Sequence, residues 1–465
     1  MLLLMYDIIV VGAGAAGLFV GACSPGRVNG LILEKSKKPG VKLLMSGSGQ
    51  CNFTHSGSIK DFLSKYGNNG KKLRSALYKF NNLALIDYFE SKGVKSLTRD
   101  DGKVFPASLK ASDIRDVLLS GARENGFEIM CDSAVLDISH IQDENTYIVE
   151  TQGENYKCRK LIIATGGCSY PKTGSAGSMF PILEKMGFNI IPPKPALTPI
   201  FVHDYPFSNL SGISFSNVEV TIVQQSNAAD CQNAVGFQSV ENSGSVGNAQ
   251  VTGNFKDVET SRGIKDFPSA ENSQGAPAKS HDIKAYKCKS AGALLFTHEC
   301  FSGPAVLDTS RFAEVGFGLH INYMPEKAVD ELIGMMKTAM VGNKKSLRNF
   351  LTETFDLPSR FVDAMLRRSP ELEMASTTSL SKKHMKIIAE LLTNDSFVIK
   401  DVGGFGGAMV TSGGVNLDDV DLKTFESKQY PNLHIVGEAL DVDGDTGGYN
   451  LQFAFSSAYG SVSCL

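Results

Sequence analysis

Three spaced glycines near the start of the chain could bind a diphosphate group. Residues 12–17 read Gly-Ala-Gly-Ala-Ala-Gly and follow the apolar run 7–11, which is typical of a buried parallel strand. In this spacing the first glycine permits a tight turn, the second lets the backbone approach a pyrophosphate, and the third allows a helix to pack closely on a strand. The free N–H groups of the following helix would then face the phosphates.

An acidic residue supports this interpretation. Glu34 follows a second apolar run, residues 31–33, and lies 20 residues after Gly14. A carboxylate there can accept hydrogen bonds from both hydroxyls of an adenosine ribose, and it would repel a 2′-phosphate. The pattern predicts a dinucleotide site, and by itself it does not separate FAD from NAD.

Segments far from the glycine motif favour FAD. The apolar run 160–163 leads into Ala164-Thr165-Gly166, and the run 432–436 leads into Gly437-Glu438. Nucleotide-binding elements at both ends of the chain suit a long ligand. Its AMP half would lie over the N-terminal turn, and its ribityl chain and ring would reach the C-terminal segment.

The C-terminal segment offers two contacts to a flavin. Glu438 or Asp441 could accept hydrogen bonds from ribityl hydroxyls. A helix that begins near Asn450 could direct backbone N–H groups at the N1–C2=O edge of the ring. Reduced flavin carries negative charge there, so a helix N-terminus would stabilise it.

The composition predicts a large folded protein with no electrostatic affinity for nucleic acid. Of the 465 residues 42% are hydrophobic, the formal net charge is −3, and no long run of Lys and Arg occurs. Nine cysteines without a CxxC pair favour reduced thiols in the cytoplasm over disulfides or a metal site. Asp7 and several glycines interrupt the apolar N-terminal segment, so we expect no membrane contact.

In these motifs the chain resembles a family of bacterial flavoproteins that includes aminoacetone oxidase and the proposed flavin-dependent reductases of bile-acid dehydroxylation. The matching segments are residues 12–17, 42–54, 164–171, 195–197, 296–298, 302–304, 411–415, 437–444 and 447–452. The resemblance implies tightly held FAD, a β-barrel-like insert and a small helical insert. It also implies that Ser46, Gly47, Asn52 and Thr54 line the flavin pocket.

The chain departs from this family at a few positions. Val41 and Gln50 stand where the family usually has Arg, and Ser178 stands where it usually has an acid. These differences concern polar contacts on the substrate side more than the FAD site.

Together, the patterns and the resemblance predict an α/β protein with a split Rossmann-like FAD-binding domain. That domain would comprise residues 1–193 and 395–465. A β-barrel-like domain would occupy residues 194–324, with a disordered loop over 226–284, where Ser, Asn and Gly are frequent. Apolar residues at helical spacing predict a small helical subdomain over 325–394.

The candidate site residues follow from these arguments. His298 is the catalytic candidate, because an imidazole titrates near neutral pH; a structural histidine in the barrel is the alternative. No metal ligands are predicted. The candidate cofactor-binding residues are Gly12, Gly14, Ala15, Ala16, Gly17, Glu34, Lys35, Lys42, Ser46, Gly47, Asn52, Thr54, Val135, Ala164, Thr165, Gly166, Gly437, Glu438, Asp441, Asn450, Leu451 and Gln452.

The predicted function is an FAD-dependent oxidoreductase that acts on a small organic molecule through flavin N5. One form is an oxidase of aminoketones such as aminoacetone. Another is an NAD(P)H-dependent reductase of an enoyl or steroid-like substrate. No second GxGxxG occurs between a strand and a helix, which favours either the oxidase or transient binding of NAD(P)H. A non-catalytic flavin-binding protein and an NAD-binding protein without flavin are the remaining alternatives.

Overall fold

Apolar and β-branched runs form the strands of this protein, and amphipathic segments form most of its helices. The computed structural model describes residues 5–224 and 285–463. The strands are β1 (Met5–Val11), β2 (Gly30–Leu33), β3 (Thr54–His55), β4 (Ser96–Thr98), β5 (Lys103–Pro106), β6 (Phe127–Met130), β7 (Val135–Ile141), β8 (Thr146–Thr151), β9 (Asn155–Ile163), β10 (Ile190–Ala196), β11 (Ile200–Val202), β12 (Ser214–Gln224), β13 (Ala285–Phe296), β14 (Phe301–Ser302), β15 (Gly318–Asn322), β16 (Asp395–Val402), β17 (Val410–Val415) and β18 (Leu433–Ile435). The helices are α1 (Ala15–Cys23), α2 (Val41–Met45), α3 (Ile59–Ser64), α4 (Arg74–Lys79), α5 (Asn82–Ser91), α6 (Ala111–Glu124), α7 (Phe180–Lys185), α8 (Pro304–Thr309), α9 (Val329–Met340), α10 (Leu347–Phe355), α11 (Ser359–Leu366), α12 (Pro370–Glu373), α13 (Lys382–Thr393) and α14 (Tyr449–Val462).

The main sheet is of the Rossmann type. Its order is β6-β2-β1-β9-β8-β7, and β18 also pairs with β9. β6, β2, β1, β9 and β18 run parallel, whereas β8 and β7 are antiparallel to their neighbours. α1 packs against α6 and α14. The carboxyl ends of the parallel strands therefore meet at one edge, where nucleotides bind in such sheets.

A closed barrel of order β11-β14-β13-β12-β15-β16 forms the second unit, as the resemblance implied. The predicted domain boundary at residue 395 is wrong, because β16 pairs with both β11 and β15 and closes the barrel. Alternate side chains of β16, including Phe397 and Ile399, are buried in the barrel core. The boundary at residues 193–194 also divides a strand, since β10 pairs with β17 across it.

The helices α9 to α13 form the region predicted as a helical subdomain, but they share their core with the barrel. Met336, Phe350 and Ile388 from the helices belong to the same apolar cluster as Phe207 and Phe296. The stripes predicted from helical spacing are thus buried against the barrel. The loop predicted over residues 226–284 lies outside the described residues. Within residues 5–224 and 285–463, no helix is long and apolar enough to cross a bilayer.

Candidate functional site

The three glycines at the end of β1 have the surroundings that a diphosphate site requires. Gly12 has a φ of 102°, and a Cβ added there would lie 2.6 Å from the Ala164 carbonyl oxygen. A Cβ added at Gly17 would lie 1.9 Å from the Gly12 carbonyl oxygen, whereas one added at Gly14 would meet no atom within 4 Å. Gly12 and Gly17 therefore serve close packing. Gly14 borders open space at the start of α1, where Ala15 begins the helix.

The Glu34 carboxylate is oriented by backbone N–H groups at the end of β2. Oε2 accepts from Ala13 N at 2.9 Å, and Oε1 accepts from Ser36 N at 2.7 Å. Each oxygen can accept a second hydrogen bond, so capacity remains for two ribose hydroxyls. The Ser133 N–H donates to the Glu34 carbonyl oxygen at 2.8 Å and brings Val135, the first residue of β7, towards this end of the sheet.

Two buried side-chain atoms lack a hydrogen-bonding partner in the part of the chain that the structure describes and lie on segments predicted to contact FAD. They are Asn52 Oδ1 and Thr165 Oγ1. Thr165 follows Ala164, whose N–H donates to Val11 O at 2.8 Å, and precedes Gly166, which has a φ of 70°. Unpaired buried polar atoms are costly, so a ligand with hydrogen-bonding groups accounts for both. The residues present fit FAD.

The loop over residues 46–53 is folded tightly by left-handed backbone. Gly47, Ser48 and Cys51 have φ values of 55°, 56° and 59°. The Cys51 N–H donates to Ser46 O at 2.9 Å, and the Ser46 hydroxyl donates to Leu43 O at 2.7 Å. Burial raises the pKa of the Cys51 thiol to about 12, which keeps it protonated and unreactive.

The two lysines predicted to bind the cofactor each contact protein side chains. Lys35 Nζ lies 3.4 Å from Ser178 Oγ. Lys42 Nζ donates to Glu438 Oε2 at 2.6 Å and also to the Ser169 hydroxyl. Lys42 thus joins α2 to the segment after β18.

The Glu438 carboxylate is largely occupied by the protein. Besides Lys42, it accepts from the Ser169 hydroxyl at 2.6 Å and from Thr411 N at 2.8 Å, both on Oε1. Oε2 accepts only from Lys42 and can take another hydrogen bond, so the contact of Glu438 with the ribityl chain stays a prediction. Its contacts connect four segments of the chain, which sequence spacing could not reveal.

Thr54, which the resemblance places in the flavin pocket, and Gln452, a candidate at the start of α14, are bonded to each other. Both are fully buried, and the Thr54 hydroxyl donates to Gln452 Oε1 at 2.6 Å. Gln452 Nε2 donates to Phe80 O at 3.1 Å. The Asn450 side chain bonds to both the N–H and the carbonyl of Gly444, at 2.7 and 2.9 Å. These side chains fix the first turn of α14, and the contact of its backbone N–H groups with the flavin stays a prediction.

The remaining C-terminal candidates pack near the carboxyl ends of the parallel strands. A Cβ added at Gly437 would lie 3.1 Å from Ala16 Cβ, so the turn after β18 packs on α1. Asp441 Oδ1 accepts from Gly413 N at 3.1 Å. Leu451 packs, partly buried, against the main core. α14 begins at Tyr449 and directs its N-terminus towards this region, close to the predicted start.

His298 lies in the short turn between β13 and β14. The turn is closed by Thr297, whose N–H and hydroxyl both bond to Cys300 O, at 3.1 and 2.8 Å. The His298 side chain is exposed, and within residues 5–224 and 285–463 its ring has no hydrogen bond. Its catalytic role remains a prediction.

A buried charge cluster, missed by sequence reasoning, joins the barrel to the loop before α14. Arg311 pairs with Asp443 at 3.2 Å and with Asp445 at 3.0 Å, and 9% of its side chain is exposed. Asp308 accepts from the Thr446 N–H at 2.7 Å and from its hydroxyl at 3.2 Å. Burial and then the charge of Asp445 raise the pKa of Asp308 to about 6. These residues lie more than 130 positions apart in the chain, so no local pattern indicated them.

Replacing Asp308 by Asn should change how stability depends on pH. Since the pKa of Asp308 is raised in the folded state, the folded protein binds more protons than the unfolded chain between about pH 4 and 6. Wild-type stability contributed by this group is therefore lost as the pH rises through that range, by at most about 3 kcal/mol. We expect the melting temperature of Asp308→Asn, relative to wild type, to increase from pH 4 to pH 7. The exposed Asp401→Asn is the control, and parallel curves for wild type and Asp308→Asn would contradict the expectation.

The glycine turn, the oriented Glu34 carboxylate and the helix at the far end of the chain form a Rossmann-type dinucleotide-binding site, and the family match makes the protein an FAD-dependent oxidoreductase. Residues 6–463 match the family model described as HI0933-like protein Rossmann domain, and the chain belongs to that family.

Several relatives are similar over nearly the whole chain. The ribosomal RNA dihydrouridine synthase of Escherichia coli is 28% identical over 99% of this chain and 98% of its own length. The protein of the same name from Haemophilus influenzae is 28% identical over 97% and 96%. The 3-dehydro-bile acid delta(4,6)-reductase of Clostridium scindens is 24% identical over 97% and 96%. The similarity to a bile-acid reductase agrees with the resemblance, whereas aminoacetone oxidation remains a prediction.

Proposed function

We propose that this protein is an FAD-dependent reductase that adds hydrogen across a carbon–carbon double bond conjugated to a carbonyl group. The observation that carries the proposal is similarity over almost the full chain to relatives whose names share this chemistry. Dihydrouridine is uridine with a saturated ring double bond next to a carbonyl. A delta(4,6)-reductase of a 3-dehydro bile acid acts, by its name, on double bonds conjugated to a 3-oxo group.

The side chains of the site have separate tasks in this reaction. The turn at Gly14 would hold the diphosphate, Glu34 the ribose, and Asn52 and Thr165 polar groups of the cofactor. When bound and reduced, the flavin supplies a hydride. The reductant would be NADH or NADPH. The substrate gains the hydride and one proton, so its double bond becomes a single bond and the nicotinamide is oxidised.

The proposal is tested by anaerobic absorbance measurements. The protein is reduced with NADPH or NADH and then mixed with a 3-oxo-Δ4 steroid or with unmodified ribosomal RNA. We expect one of these to restore the oxidised flavin spectrum and to gain the mass of two hydrogen atoms. The RNA arm also tests the prediction that the protein does not bind nucleic acid, which rests on its net charge of −3.

Two controls separate this function from the alternatives. A saturated 3-oxo steroid should leave the reduced flavin unchanged. Aminoacetone added to the oxidised protein should not bleach it. Bleaching by aminoacetone, with peroxide formed in air and no reoxidation by either unsaturated compound, would instead indicate the aminoketone oxidase.

A further inference from the structure

Arg99 is held beside the loop over residues 46–53. Its guanidinium carbon lies 4.0 Å from the centroid of the Phe105 ring, and Nη2 donates to Gln50 Oε1 at 2.6 Å. Phe105 abuts the loop, because a Cβ added at Gly47 would lie 3.4 Å from its Cε1. The ring and the amide therefore fix a cation next to the loop that carries the unpartnered Asn52 Oδ1.

The turn that carries Arg99 is itself fixed. The Arg99 N–H donates to Lys103 O at 2.9 Å and closes the turn between β4 and β5. His55 Nδ1 accepts from Gly57 N at 3.1 Å, so its Nε2 carries the proton and donates to Asp101 O at 3.0 Å. Burial lowers the pKa of His55, which keeps this neutral form at physiological pH.

Within residues 5–224 and 285–463, no carboxylate is bonded to the guanidinium of Arg99. The one hydrogen bond that this side chain forms there goes to the neutral amide of Gln50. The Asp101 carboxylate, which feels the charge of Arg99, is bound to Lys103 at 2.6 Å. The Arg99 side chain is exposed, so its other N–H groups are available to a ligand.

We infer that Arg99 binds the substrate oxygen on which negative charge develops, an inference that rests on the proposed function. Hydride addition to the β-carbon of the conjugated bond moves its π-electron pair to the carbonyl oxygen, and the enolate then takes a proton at the α-carbon. A preorganised cation at that oxygen stabilises the charge as it forms. Arg99 is thereby a substrate-binding residue beside the loop over residues 46–53.

A phenolate is a suitable probe, because it resembles an enolate and gives a long-wavelength band when it stacks on oxidised flavin. The holoenzyme is titrated with 4-cyanophenol at mildly alkaline pH. We expect the band in wild type, and an apparent dissociation constant at least about tenfold higher in Arg99→Met, the loss of one charge-assisted hydrogen bond. Arg99→Lys should fall between the two, since it keeps the charge and loses the planar fork.

Two further variants distinguish binding from a merely structural role. Lys110→Met removes an exposed charge elsewhere on this domain and should leave the affinity unchanged. Gln50→Leu removes the hydrogen-bond acceptor of Arg99 but leaves the charge of Arg99 in place. It should therefore lower the affinity for the phenolate less than Arg99→Met does. Equal losses in those two variants, an unchanged affinity in Arg99→Met, or no band in wild type would each overturn the inference. Because no turnover is needed, these results are independent of whether an unsaturated substrate is found.

Discussion

Replacing Arg311 by Met should lower the free energy of unfolding by about 3–5 kcal/mol, the usual cost of removing one partner from a buried ion pair. Arg311 is the cation between Asp443 and Asp445, whose side chains are 13% and 26% exposed. Without it these carboxylates would lie close together in a poorly hydrated junction. The loop before α14 would lose one of its two connections to the barrel, leaving the Asp308–Thr446 hydrogen bonds, and we expect FAD to be released more easily as well.

The pH dependence of this variant provides a specific signature. Burial already raises the pKa of Asp443 and of Asp445, and the Arg311 charge opposes that effect. In Arg311→Met both carboxyl groups should take up protons at higher pH than in wild type. The deficit in stability should therefore shrink as the pH falls from 8 to 5, which thermal unfolding of both proteins would measure.

A surface pair serves as the control for Arg311. Arg348 lies 3.0 Å from Asp363, and these side chains are 45% and 34% exposed. Arg348→Met should cost no more than about 1 kcal/mol, because exposed ion pairs contribute little. Equal effects of the two substitutions, or a deficit in Arg311→Met that does not vary with pH, would contradict the role given to the buried cluster.

The second large effect is expected at Gly14. Gly14→Ala should leave the apoprotein as stable as wild type, because its φ of −82° and ψ of −166° suit alanine and an added Cβ meets no atom within 4 Å. That methyl group would occupy the space through which a diphosphate approaches. We expect FAD affinity to fall at least about tenfold, or ~1.4 kcal/mol.

Gly17→Ala is the matched comparison. The same methyl group would lie 1.9 Å from the Gly12 carbonyl oxygen, so α1 must shift and the apoprotein should be strongly destabilised. Flavin titration and thermal unfolding of the apoproteins would separate the two effects. Wild-type FAD affinity in Gly14→Ala would show that the diphosphate does not lie over this turn.

Sequence patterns predicted those parts of the candidate site that consecutive residues form. The spacing of Gly12, Gly14 and Gly17 reports a strand, a turn and a helix that are consecutive in the chain, so their roles could be inferred in order. Long-range pairing was not accessible in this way. Nothing in the alternation of residues 395–402 indicates that β16 pairs with β11 and β15 rather than joining the main sheet.

The sequence by itself determined that the cofactor is a dinucleotide and which elements are predicted to bind it, because glycine spacing and an acid after a strand constrain the backbone directly. Only the tertiary structure decided which polar side chains are free for ligands. Glu438 is bound to Lys42, 396 positions away, and Thr54 is bound to Gln452, whereas Asn52 is left with an unpartnered oxygen. Hydrogen-bonding capacity is used up by whichever group folding brings within about 3 Å, and that distance is set by packing rather than by spacing in the chain.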